Sequence, residues 1–136
     1  PLQQVAIAHE DLVPSTIAKY FVNLSEVPWE ENKSGHHFMR SRNPLSITGS
    51  PNLHGGDAIR YSIQQYQYGG YSDIVAHDVG WHIIKVNKGH GIFLLEGIDA
   101  RKVGPGDMIL IPPGVRHGWT SIYDKEGLEC DYTAFK

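Results

Sequence analysis

Residues 106–119 read Gly-Asp-Met-Ile-Leu-Ile-Pro-Pro-Gly-Val-Arg-His-Gly-Trp, and this stretch decides the fold. Gly106 and Asp107 are typical of a tight turn, and the four apolar residues after them predict a short buried strand. The turn at residues 112–114 then sends the chain back on itself. His117 follows at the start of the next predicted strand, where it can point into the mouth of a barrel.

The chain after residue 57 repeats this pattern of short strands between Gly and Pro turns. Strands of about five residues at spacings of about 8–12 residues are typical of a β-sandwich or barrel. No helical periodicity interrupts them. We therefore predict an all-β fold. The predicted strands cover residues 58–68, 81–86, 91–95, 108–111 and 128–135.

The N-terminal third is organised differently. Residues 6–23 carry a weak amphipathic pattern that Pro14 would interrupt. Residues 27–50 are rich in turn-forming Pro and Gly, and their apolar residues suggest short extended pieces lying on a core. We therefore treat the chain as one domain with two parts. Residues 1–57 are an N-terminal arm with edge strands that pack on the barrel, and residues 58–136 are the barrel core.

The composition excludes several classes of protein. With 136 residues, of which 40% are apolar and 20% charged, the chain has the size and balance of one globular domain. A net charge of −3 gives no reason to expect nucleic acid or an anionic membrane as a partner. No apolar run approaches the roughly 20 residues that span a bilayer. The single cysteine, Cys130, fits a reducing compartment, so we expect a cytoplasmic protein.

Residues 106–119 resemble the second signature motif of the cupin superfamily. That motif places Gly-Asp, four apolar residues, Pro, Gly and a metal-binding His in this order. Every diagnostic position matches here, with His117 in the place of the metal-binding residue. The resemblance covers roughly residues 58–135, and it implies a double-stranded β-helix, the jelly-roll barrel of the cupins.

The first cupin motif is present in a degenerate form. Its usual pattern is His-x-His, three or four residues, Glu, six residues and Gly. With Gly89 as the final glycine, His82 stands at the Glu position, His77 at the second His and Val75 at the first. This arrangement is similar to small cupins in which a further His replaces the Glu, with one residue inserted. The insertion leaves Asp78 as an alternative ligand to His77.

The resemblance implies one divalent metal ion held by His77, His82 and His117. Three neutral imidazoles bind Fe(II), Zn(II), Ni(II), Cu(II) or Mn(II), and they leave positions open for water, oxygen or substrate. Of these metals we expect Fe(II). With Asp78 in place of His77, the site would have two His and one carboxylate.

Aromatic and polar residues near these histidines are candidates for a substrate pocket. Alternate residues of a strand face the same side, but the pattern of residues 60–68 leaves open which set faces inward. The candidate catalytic residues are Tyr61, Gln65 and Tyr132, and the candidate pocket walls are Trp81, Trp119 and Cys130. Core packing is the alternative role for the two tryptophans, and an inert buried thiol is the alternative for the cysteine.

The five other histidines are not expected to bind the metal. Of these, His36, His37 and His54 lie in turn-rich segments that predict a surface role, His90 lies in a turn beside Gly89, and His9 lies near the N-terminus. The neighbouring pair at 36 and 37, or His54, could still cap the pocket of a second subunit if the arm crosses between subunits.

Cupin folds carry many reactions, so the resemblance leaves the reaction open. Our first hypothesis is a mononuclear non-haem iron dioxygenase acting on a small enolisable or phenolic compound. The second is a non-oxidative metal-dependent lyase, cyclase or isomerase, in which Tyr or His moves the proton. The third is a ligand-binding cupin without catalysis, which the imperfect first motif favours. We expect a small-molecule substrate as partner and, because the apolar residues of the arm need burial, a homodimer.

Overall fold

Nine antiparallel strands make up most of the computed structural model, which describes residues 22–31, 33–45, 59–77 and 80–136. A 3-10 turn at Leu24–Glu26 precedes them. The strands are β1 (Glu30–Glu31), β2 (His36–Leu45), β3 (Ile59–Ser72), β4 (Trp81–Gly89), β5 (Gly91–Leu95), β6 (Ile98–Val103), β7 (Met108–Ile111), β8 (His117–Thr120) and β9 (Leu128–Phe135). No part of the described chain forms a helix long and apolar enough to cross a membrane.

The all-β prediction is confirmed, and β5, β7 and β9 have the predicted bounds. The prediction that β3 ends before Gly69 and Gly70 is wrong. Gly70 allows backbones to approach closely, since a Cβ there would lie 2.9 Å from the carbonyl oxygens of Gln67 and Phe38. The sequence does not predict β6, because its residues are almost all exposed and do not alternate in polarity.

The part of the arm that the structure describes includes β1 and β2. These strands form extended pieces, as predicted for this region, and β2 pairs with β3 along most of its length. The predicted boundary between residues 57 and 58, most of the amphipathic pattern at 6–23, and the side chains of His9, His54 and Asp78 lie outside the described residues.

The sheet curls because β3 pairs with different partners along its length. Ile59–Tyr66 of β3 pair with β9, whereas Tyr71 pairs with Thr120 of β8. The strand order is β6-β5-β8-β3-β9-β4-β7, and outside this path β2 pairs with β3 and β1 pairs with β2. As a result β9 lies near the middle of the sheet, between β3 and β4.

The core fills the inside of this curled sheet. Tyr66, Val86 and Cys130 are almost completely buried, and the rings of Phe93 and Trp119 stack with centroids 5.5 Å apart. Where β3, β9 and β4 meet, backbones approach so closely that a Cβ on the glycine at 127, at φ +87°, would overlap the carbonyl oxygen of residue 66.

Candidate metal centre

His82 is the most buried member of the histidine cluster. It is the second residue of β4, and only 1% of its surface is exposed. In the register of the sheet it lies between Ala134 of β9 and Ile111 of β7. Trp81 before it faces outward, so the alternation of the strand turns the imidazole into the barrel.

His117 enters from the opposite side, at the start of β8. Its side chain is 2% exposed, and Nδ1 lies 2.9 Å from the carbonyl oxygen of Val115. A carbonyl can only accept, so Nδ1 carries the proton and Nε2 presents its lone pair to the cavity. The turn that precedes β7, the strand before β8, has the predicted form: Gly106 has φ +90°, and Asp107 accepts a hydrogen bond from the Gly104 amide at 2.8 Å.

His77 lies outside the strands, in the segment that follows β3. Residues of this segment run beside the approach to β8. The backbones of Val75 and His117 exchange two hydrogen bonds of 2.9 and 3.0 Å, and the Gly114 amide donates to the carbonyl of His77 at 2.6 Å. These contacts bring His77 next to His117, although 40 residues separate the two in the sequence.

The three imidazoles converge. The ring centroids of His77 and His82 are 4.4 Å apart, those of His77 and His117 are 5.4 Å apart, and those of His82 and His117 are 5.8 Å apart. One ring nitrogen from each lies within 4.8 Å of the other two. If each nitrogen lies about 2.1 Å from a shared metal ion, two ligand nitrogens can be at most about 4.2 Å apart. Small rotations of the side chains are therefore enough to bring the three nitrogens to one ion. The three histidines could therefore hold one metal ion. Among the described residues they are the one such group.

The surroundings keep His82 in the form that binds a metal. Its pKa is lowered to about 4, first by burial and then by the nearby His77, His117 and Arg60, in that order. At neutral pH this imidazole is therefore uncharged, as a metal ligand must be.

Tyr132 places a phenol against this cluster. It faces inward on β9, and its hydroxyl lies 3.1 Å from Nδ1 and 3.3 Å from Nε2 of His82. Burial raises the pKa of Tyr132, and the charge of Arg60 opposes this. The hydroxyl is therefore protonated at neutral pH. Tyr132 is the one candidate catalytic residue that the structure brings to the histidines.

The other two candidate catalytic residues, Tyr61 and Gln65, belong to the set on β3 that alternates with the buried residues. Tyr61 lines the histidine cavity, whereas Gln65 does not, which corrects the prediction for Gln65. Tyr61 is hydrogen-bonded to Asp131 and borders the cavity, and the Gln65 amide donates to Glu129 at 2.7 Å and accepts from Arg40 at 2.9 Å. The inward positions are taken by the alternate set that begins at residue 60. Within it, the buried residues are Ser62, Gln64 and Tyr66.

Of the three candidate pocket walls, the structure brings only Trp119 to the cavity. It is 4% exposed, and its ring is stacked at 6.3 Å from that of His117. Trp81 is 41% exposed on the outside of β4. Cys130 is enclosed in the core, where burial raises the pKa of its thiol to about 12. The assignments of Trp81 and Cys130 are therefore corrected: one faces away, and the other is sealed beneath the cavity by its neighbours.

Among the remaining histidines, one departs from expectation. His36 is half-buried, with Nδ1 2.6 Å from the Tyr66 hydroxyl, so the predicted solvated role is wrong for it. His37 and His90 are hydrogen-bonded to Asp73 and Asp124, both at 2.8 Å and both partly exposed.

The cavity in front of the cluster has a volume of about 1130 Å³. Besides His77, His117, Trp119 and Tyr132, it is lined by two cations that sequence reasoning did not assign to the site, Lys33 and Arg60. Arg60 belongs to the inward set of β3. The sequence would have predicted it at the site if it had shown which alternate residues of this strand face inward. Lys33 lies in an irregular connection, and no pattern in the sequence pointed to it.

No family model matches this chain, and no curated protein sequence matches it. Among solved structures, an RmlC-like cupin from Shewanella frigidimarina matches with a TM-score of 0.65 at 16% identity, covering 85% of this chain and 88% of that one. A predicted oxalate decarboxylase from Thermotoga maritima has a TM-score of 0.69 at 19% identity, with coverage of 85% and 97%. The polyketide cyclase RemF from Streptomyces resistomycificus has a TM-score of 0.64 at 23% identity, with coverage of 84% and 75%. Similarity at these identities shows a common fold.

Proposed function

We propose that this chain, which has the fold of the cupin superfamily, is a metal-dependent enzyme that transforms a small organic substrate without consuming oxygen, as a lyase, cyclase or isomerase. The observation that carries this proposal is the phenol of Tyr132, which lies 3.1 Å from a nitrogen of His82 and lines the cavity together with His77 and His117. A non-oxidative reaction of this kind needs a proton carrier beside the metal site.

The chain's own residues have separable roles in this proposal. His77, His82 and His117 would hold the metal ion, which when bound supplies a Lewis acid that stabilises negative charge on substrate oxygen. Tyr132 holds a proton on its hydroxyl and can donate it to the substrate or return it. Trp119 forms an apolar wall that excludes water from one side.

The similar structures lend support of a general kind. One is named as a polyketide cyclase and another as a predicted oxalate decarboxylase. Neither name is that of an oxygenase.

An iron dioxygenase is the second candidate, and the donor set itself favours it. Three neutral imidazoles leave several metal positions open, which suits Fe(II) that must accept both substrate and oxygen. Fe(II) therefore stays the favoured metal among Fe, Zn, Ni, Mn and Cu. Ligand binding without catalysis is the remaining alternative, and the cytoplasmic location, the small-molecule substrate and the homodimer also stay predictions. A single, buried thiol at Cys130 is compatible with a reducing compartment.

Metal analysis followed by turnover with and without oxygen tests the proposal. The protein is loaded separately with each of the five metals, and diketone, phenol and hydroxy-acid substrates are offered aerobically and anaerobically. We expect turnover that persists without oxygen, and a loss of metal affinity of at least about a hundredfold in His117→Ala. His90→Ala, which removes an exposed imidazole paired with Asp124, is the matched control and should bind metal like the wild type.

The other outcomes are equally informative. Turnover that stops without oxygen, with uptake of oxygen in its presence, would replace the proposal with the dioxygenase. Unchanged metal content in His117→Ala, with thermal unfolding like that of the wild type, would contradict both enzyme hypotheses.

A further inference from the structure

Two positive charges line the histidine cavity, and the proposed function leaves them without a role. Arg60 lies on the inward face of β3, and Lys33 lies in the connection between β1 and β2. Both border the cavity together with His77, His117 and Tyr132.

The register of the sheet aims Arg60 at the histidine cluster. Ala134 of β9 pairs with Arg60 on one side and with His82 on the other, so the three residues form one row. Strands lie about 4.8 Å apart, which puts the backbones at the two ends of the row about 10 Å from each other. Because the middle residue is a small, buried alanine, the Arg60 side chain can extend over it.

Lys33 approaches the same place from the mouth of the cavity. Its ammonium nitrogen lies 5.9 Å from the centre of the Tyr132 ring, whose hydroxyl contacts His82. The side chain is exposed at the mouth, yet enough protein surrounds the ammonium that desolvation lowers the pKa of Lys33. The charge of Arg60 lowers it further, and Glu30 opposes both effects.

Neither cation has a carboxylate in contact within the described part of the chain. The close contacts between a basic and an acidic side chain found there join His37 to Asp73 and His90 to Asp124. Two positive charges that act on each other in one cavity are unfavourable by themselves, and they attract an anion.

We infer that Arg60 and Lys33 form a carboxylate-binding subsite, and that the substrate of this cavity is a small carboxylic acid anion. The inference rests on the proposed function, because it assigns the substrate class of the same site. Arginine presents planar donors that match a carboxylate, and lysine adds a compact charge. The carboxylate lies between the cations while neighbouring oxygens of the ligand face the histidines. Glu30, Glu31 and Asp73 also line the cavity, so attraction of an anion depends on its direct contact with the two cations.

Calorimetric titration of the metal-loaded full chain tests this subsite. The probes are malonate, its neutral analogue malonamide, and inorganic phosphate. We expect malonate to bind at least about tenfold more tightly than malonamide, and phosphate to bind more weakly than malonate. Arg60→Gln and Lys33→Gln should each weaken malonate binding by about tenfold and leave malonamide unchanged. Lys33→Arg keeps the charge and should retain malonate binding.

The matched control is Arg101→Gln, which removes an exposed cation on β6 at an edge of the sheet. Equal affinity for malonate and malonamide would overturn the inference, and so would Arg60→Gln and Lys33→Gln variants that behave like this control. Tighter binding of phosphate than of malonate would overturn the assignment to carboxylates.

Repeating the titration after removal of metal with a chelator separates the two proposals. If the histidines bind no metal but malonate affinity still depends on Arg60 and Lys33, the proposed function fails and the subsite stands. If the histidines bind metal but malonate affinity is the same in the wild type and in both cation variants, the subsite fails and the proposed function stands.

Discussion

The two faces of β3, β9 and β4 show how differently the same three strands are used. The inward row contains Arg60, Ala134 and His82, and the outward row one residue later contains Tyr61, Thr133 and Ile83. The inward row brings a cation to a buried imidazole, whereas in the outward row Tyr61 is engaged with the surface carboxylate of Asp131. The alternation of side chains along each strand therefore gathers the candidate site residues of this row on the inner face. As a result, residues adjacent in sequence have unrelated roles.

The largest test of this comparison uses the two tryptophans. Trp119→Ala removes a 4% exposed ring that contacts Phe93 and Tyr66, and it should lower the free energy of unfolding by about 3–5 kcal/mol. Trp81→Ala removes a 41% exposed ring on the outer face, and it should cost less than about 1 kcal/mol. Urea denaturation of both variants measures the difference. Equal costs would show that the outer face is as tightly packed as the inner one.

A second test compares two tyrosines. Tyr132→Phe keeps the inward ring but removes the hydroxyl beside His82, and it should reduce turnover by about a hundredfold if that hydroxyl carries the proton. Metal content should change little. Tyr61→Phe removes an outward hydroxyl and should leave turnover within about twofold of the wild type. Steady-state kinetics with metal analysis of the same samples decides, and similar losses in both variants would refute the role of Tyr132.

The smallest expected effect concerns pH and the histidine at 36. Its pKa is lowered to about 4, mainly by burial, with smaller contributions from Lys33, His37 and His77, while Asp73 opposes them. Between pH 6.5 and 4 the unfolded imidazole binds a proton that the folded one does not. Stability that is present above pH 6.5 is therefore lost as the pH falls towards 4.

Removal of this imidazole should flatten the pH dependence. Between pH 7 and 4.5 the variant His36→Gln should lose about 1 kcal/mol less unfolding free energy than the wild type, a value reduced for its partial exposure. Denaturation at a series of pH values measures this. His37→Gln, on the exposed side of the same strand, controls for the loss of an imidazole as such. A wild-type slope in His36→Gln would contradict the prediction.

The sequence was sufficient for the fold and for the histidine cluster. The turn and strand around His117 have local signals, because glycine at positive φ and a capping aspartate specify the turn in any context. The spacing of His77 and His82 also survives the inserted residue, since both histidines need only reach the same end of the barrel.

The sequence did not determine which residues of β3 face inward. Residues 60–68 mix polar and aromatic side chains on both faces, so no hydrophobic alternation marks the inner one. Tyr61, Gln65 and Trp81 were candidates for the site; Tyr61 borders the cavity, whereas Gln65 does not line it and Trp81 is exposed on the outside of β4. Lys33 could not be found at all, because its position depends on an irregular connection and not on a repeating backbone.

The central position of β9 has a consequence for the time course of folding. This strand pairs on both sides, with β3 and β4, and its contacts with β3 join residues about 60–75 positions apart in the sequence. Such distant pairings make loop closure a slow step, as in other folds of high contact order. Because Ala134 separates Arg60 from His82, the site takes shape only after residues 128–135 insert between their neighbours. A metal-sensitive folding signal should therefore appear late, after most β-structure has formed.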